Sequence, residues 1–71
     1  MIKRGVYQHY KGNSYKVLEV ARHSETEELY VVYQQLYGTN GVWIRPYSMF
    51  VETVTVDGKT MQRFKYQSDS R

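Results

Sequence analysis

The stretch SYKVLEVARHSETEELYVVYQQLYG, residues 14–38, decides the fold class. Its two ends, SYKVLEVARH (14–23) and LYVVYQQLYG (29–38), are rich in valine and tyrosine, which suit a pleated, half-buried surface. Between them HSETEE (23–28) packs a histidine, a serine, a threonine and three carboxylates into six positions. Two long strand runs around a short polar segment read as a hairpin. Alternation offers two faces, one with Leu18, Val20 and Arg22, the other with Val17, Glu19, Ala21 and His23. Both carry hydrophobes, so the pattern alone leaves the register open.

HSETEE has a chemical reading and a structural one. His23 beside Ser24 offers a base and a nucleophile, but adjacent side chains on an extended strand point apart, and catalysis also needs an oxyanion hole. His23, Glu25 and Glu27 alternate and would share one strand face, yet three ligands without a distant fourth are a weak metal signal. The structural reading is more specific. Ser24-Glu25-Thr26-Glu27 fits the S-x-x-E capping box, so the segment is expected to be the hairpin connection.

The same rhythm of short strand runs and turn residues extends in both directions, as in a small barrel or sandwich. GVYQHY (5–10) precedes the turn KGN (11–13), and GTNG (38–41) precedes the short run VWIR (42–45) that Pro46 stops. PYSMFVE (46–52) has room for one helical turn, with proline in its favoured first position. The Asp57-Gly58 pair between TVTV and KTMQRFKY is the sharpest hairpin signal, because both residues tolerate the positive φ of a tight turn. QSDSR (67–71) reads as a polar tail after a domain ordered over about 3–66.

Seventy-one residues hold one core, and no cysteine is present, which excludes disulfides, thiolate zinc sites and a cysteine nucleophile. Eight tyrosines, two phenylalanines and one tryptophan must supply the packing. Large aromatics are mostly buried, so Trp43 and Phe50 are expected in the core, and Tyr7, Tyr10, Tyr30 and Tyr37 are the rings expected at the surface. A net charge of +3 permits attraction to anions without demanding it. The mean hydropathy of −0.68 and the start MIKRGVY, which lacks a signal-peptide apolar run, make cytoplasmic residence the expectation, with no membrane contact.

Three groups of residues resemble a bacterial family known as domain of unknown function 1653, over about Gly5 to Tyr66. They are Tyr7, His9, Tyr10, Lys11 and Gly12; Ala21-Arg22-His23-Ser24-Glu25-Thr26; and Trp43, Arg45, Pro46, Met49 and Phe50 with Arg63-Phe64. The resemblance implies an SH3-like β barrel and carries no activity, substrate or cofactor with it. The expected fold is therefore all-β: a small SH3-like barrel of about five antiparallel strands with one short helical turn after Pro46.

Arg22, Arg45 and Arg63 each sit in an apolar or aromatic context, where a guanidinium needs a carboxylate, a ring or a ligand's anion. Internal pairing of Arg22 or Arg45 with Glu19, Glu25 or Glu52 competes with ligand binding. Basic residues interleaved with aromatics fit a noncatalytic binding module for an anionic or extended ligand, nucleic acid or peptide, with Arg22, His23, Tyr30, Arg45, Arg63 and Tyr7 as candidate ligand residues. One alternative is a small metal-dependent or hydrolytic enzyme using His23, Ser24 and Glu25. Another is an interaction protein working through an exposed strand edge, as a monomer or weak homodimer. No catalytic or metal residue is assigned, and no cofactor is expected.

Overall fold

A computed structural model describes residues 1–69. Seven strands and one helical turn follow in chain order: β1 Gly5–His9, β2 Ser14–Arg22, β3 Leu29–Gln35, β4 Val42–Pro46, α1 Tyr47–Phe50, β5 Thr53–Val56, β6 Lys59–Gln62 and β7 Phe64–Ser68. Five of them form one antiparallel sheet in the order β4-β3-β2-β1-β7, and β5 pairs only with β6. The all-β expectation and the helical turn after Pro46 hold. Closure into a barrel does not: β4 and β7 lie at opposite edges of the sheet and do not pair. The closing strands are missing because TVTV and KTMQ pair with each other alone. Asp57 and Gly58 adopt φ of 51° and 76°, which a tight hairpin between them requires.

A bulge explains why alternation left the β2 register open. Val17 faces Tyr33 and Glu19 faces Val32, so Leu18 has no partner on β3. The extra residue switches the core-facing parity from odd to even: Tyr15 and Val17 before it, Val20 after it, while Arg22 lies at the exposed end of the strand. A second shift lies between β1 and β7, where Tyr7 faces Tyr66 and Val6 faces Ser68. Gly5 is required there. Its φ is 143°, and a Cβ would run into the Ser68 carbonyl oxygen. Gln67 and Ser68, expected in the polar tail, belong to β7, while Ser70 and Arg71 of that tail lie outside the described residues.

The core gathers on one face of the sheet from Tyr7, Val17, Val31, Tyr33, Phe50 and Phe64. Phe64 is its hub. Phe50 stacks on it at 4.1 Å with the planes 2° apart, and Tyr15, Tyr33 and His9 approach it at steeper angles. The four residues of α1 bring Phe50 back over the sheet, and the Tyr47 hydroxyl accepts the Ile2 amide at 3.0 Å. No described helix is long and apolar enough to cross a membrane.

Candidate functional site

The structure separates the residues that the sequence grouped. Tyr7 is a core ring, its hydroxyl donating to the Lys3 carbonyl at 2.7 Å, and not a surface ring. Arg22 ends β2 and donates to the Glu27 carbonyl at 3.0 Å, which ties it to the turn. Tyr30 is half-buried and tilted against His23 at 6.0 Å. Arg45 and Arg63 do come together, around Phe64 and His9. The Arg45 guanidinium lies 5.7 Å from the Phe64 centroid, and its Nε is 3.5 Å from the Tyr33 hydroxyl. Arg63 pairs with Glu52 at 2.9 Å, and its Nε is buried without a hydrogen-bond partner. Glu52 therefore serves Arg63, not Arg22 or Arg45. Arg63 is also a clamp: its amide donates to the Glu52 carbonyl, its carbonyl accepts the Tyr10 amide, and it divides KTMQRFKY into β6 and β7.

Within HSETEE, the capping role belongs to His23 and not to Ser24. His23 Nδ1 accepts the amides of Glu25 and Thr26 at 3.1 and 3.3 Å, and the Thr26 hydroxyl accepts the Glu28 amide. Glu27 takes the left-handed φ of 64° that turns the chain back. An Nδ1 held by two amides is not aimed at the Ser24 hydroxyl. Among the described residues no group of three or more histidines and carboxylates is placed to hold a metal. His9 repeats the device in the first turn, where its Nδ1 accepts the Lys11 amide at 3.1 Å. Burial, then the charges of Arg63, Arg45 and Lys11, hold its pKa below the ordinary histidine value.

The feature the sequence reading missed is Trp43. It was expected in the core, yet it is 55% exposed. The reason is its strand: β4 has a neighbour on one side only, so a ring on it is covered from one flank. Pro46 carried that signal, because proline inside a strand marks an edge. The exposed indole is nonetheless held in place. Its Nε1–H donates to Gln35 Oε1 at 2.8 Å, and a Cβ on Gly41 would stand 2.8 Å from that oxygen and 3.2 Å from Nε1. Glycine at 41 leaves the room in which this pair forms.

Trp43, Gln35, Tyr15, Tyr33 and Tyr37 line a cleft of about 180 Å³. Tyr33 and Tyr37 stand at 76° and 81° to the Tyr15 ring, with centroids 5.4 and 5.5 Å from it. The Tyr15 and Tyr37 hydroxyls are 2.7 Å apart. Burial, then the bond to Tyr37, pushes the Tyr15 pKa up to about 12, whereas the bond from Tyr15 pulls that of Tyr37 down. The lining is neutral and aromatic, with no nucleophile, base or metal ligand set.

The β4 edge continues this surface. Gln35 donates to the Gly41 carbonyl, so by antiparallel alternation Gly41, Trp43 and Arg45 turn their backbone groups toward β3. Val42 and Ile44 turn theirs away, to the free edge, and Pro46 has no N–H to waste there. Val42 and Ile44 are 55% and 64% exposed. The opposite edge, β7, carries Lys65 and a register shift, the usual protection against strand addition; β4 has neither between Val42 and Ile44.

None of the curated proteins matches the chain. A crystal structure of a protein of the DUF1653 family from Bordetella bronchiseptica is similar to it at 40% identity and a TM-score of 0.85, over 93% of this chain and 87% of that one. The model of that family matches residues 5–66. With the fold and the matched span in agreement, the chain belongs to the family described as Protein of unknown function (DUF1653).

Proposed function

We propose that this protein is a noncatalytic binding module that takes an extended peptide along the free edge of β4, with one peptide side chain in the cleft beside Trp43. The observation that carries the reading is an exposed tryptophan held by Gln35 over a Gly41 that leaves it room. A large ring fixed before binding loses little entropy on contact, which is why aromatic anchors dominate interfaces. The outward backbone groups of Val42 and Ile44 supply the ladder that strand addition uses, and the cleft supplies side-chain selection.

The SH3-like likeness enters in this functional sense, as an aromatic-lined groove beside a small antiparallel sheet. Nucleic acid is the weaker partner, because Arg22, Arg45 and Arg63 are engaged with the turn, a ring and Glu52. Cytoplasmic work in a bacterium is part of the proposal; the cysteine-free chain and the Bordetella relative support it.

The experiment is selection of a random dodecapeptide library on phage against the intact chain, with every enriched peptide re-measured against Trp43→Ala. Enrichment of a shared motif whose binding falls at least about tenfold on the variant is expected, as for an interface hot spot. Absence of enrichment, or equal binding to the folded variant, overturns the reading.

A further inference from the structure

The cleft beside Trp43 has a chemistry of its own. We propose that it is an aromatic cage for an alkylated ammonium group, carried on a side chain or a small headgroup. The inference rests on the reading of this cleft as a binding site and names what the cleft selects.

Four aromatic side chains and one amide make the lining, and no charged side chain takes part. Tyr33 and Tyr37 stand steeply to Tyr15, so the rings of this open cleft do not lie in one plane. Ring faces carry the negative end of the aromatic quadrupole and attract a cation, most strongly from tryptophan. Hydrogen-bond donors are scarce. The Trp43 Nε1–H is taken by Gln35, and the Tyr15 and Tyr37 hydroxyls share one hydrogen bond. An anion would therefore find few of the donors it needs.

The cleft also discriminates among cations. A bare ammonium brings three N–H donors that require acceptors, and no carboxylate lines the cleft to take them. An ammonium whose hydrogens are replaced by methyl groups makes no such demand and loses less hydration on entry. At about 180 Å³ the volume falls below the roughly 300 Å³ at which pockets for drug-sized ligands begin, so it suits one headgroup and not a whole cofactor.

The single tryptophan makes the test clean. Choline chloride and its neutral carbon isostere, 3,3-dimethylbutan-1-ol, would be titrated into the labelled protein at matched ionic strength, following the Trp43 indole N–H resonance. Choline is expected to bind roughly tenfold more tightly than the isostere. Replacing Trp43 by mono-, di- and trifluorotryptophan should weaken choline stepwise while leaving the isostere unchanged, since fluorine drains the ring face. Equal affinity for the two probes, or a choline affinity indifferent to fluorination, would overturn the cage; the probe comparison needs no variant and stands even where a fluorinated protein fails to fold. Peptide binding that depends on Trp43, with no response to choline, would remove the cage and keep the peptide reading. Choline binding without any peptide would keep the cage and remove the peptide reading.

Discussion

Phe50 and Trp43 were indistinguishable in the sequence, and replacing each by alanine should separate them sharply. Phe50 is 1% exposed and stacked on Phe64 at 4.1 Å, with Tyr7 and Tyr33 against its other sides. Removing a buried phenylalanine costs about 3–5 kcal/mol, because the cavity adds to the lost transfer energy. A chain of 71 residues has roughly 4–11 kcal/mol in all, at about 0.05–0.15 per residue. Phe50→Ala should therefore remove a large share of that stability. Trp43→Ala removes a half-exposed ring and one hydrogen bond to Gln35, about 1 kcal/mol together. Urea denaturation measures both. With a slope near 1 kcal/mol per molar for so small a chain, the midpoint should fall by about 1 M for Trp43→Ala and by 3 M or more for Phe50→Ala. Comparable losses for the two would refute the division into core and site.

Acid should weaken the fold through His9. Its folded pKa lies below the ordinary value, so the unfolded chain binds the proton more readily, and stability present above about pH 6.5 declines as the pH falls below it. Thermal midpoints from pH 7.5 to 5 should show that decline in the native chain and a shallower one in His9→Gln. Arg63→Ala should cost only about 0.2–1 kcal/mol, because the Glu52 pair is partly exposed, but it should speed amide hydrogen exchange in β5 and β6 more than in β2 and β3. Gly41→Ala displaces Gln35 Oε1 and should release the indole: the Trp43 Nε1–H resonance is expected to broaden and to exchange faster, with the urea midpoint lowered by about 1 M or less.

Local chemistry made several elements readable. The Asp57-Gly58 turn and the helical turn after Pro46 follow from residues with narrow conformational preferences, and the HSETEE connection from its place between two strand runs, though its cap is His23 and not Ser24. What stayed hidden depended on where strands lie relative to one another. The Leu18 bulge reverses the inward parity midway through β2, and no single alternation pattern describes both halves. Closure failed as an expectation because β5 and β6 satisfy each other's backbone, which composition does not reveal. Tyr7 and Trp43 were misplaced because composition does not show strand order: a ring on an inner strand is flanked on both sides, whereas one on an edge strand is buried only where another element covers it, as Phe50 of α1 covers Phe64 on β7. β1 lies between β2 and β7, and β4 lies at the edge. Of the arginines, the sequence identified groups in need of partners but not which partners, since Glu52 and Arg63 meet only across the base of a hairpin.

The central claim is that β4 and its cleft receive an extended peptide, and one spectrum tests it most directly. Amide and indole resonances of the labelled protein would be followed as a mixed pool of short peptides is added, and separately a mixed pool of single-stranded oligonucleotides at low and moderate salt. Shifts confined to the amides of Val42 and Ile44 and the indole of Trp43, produced by peptides, are the predicted result. Shifts produced only by oligonucleotides, centred on Arg45 and Arg63 and fading with salt, would contradict the account and move the binding surface to the basic side of Phe64.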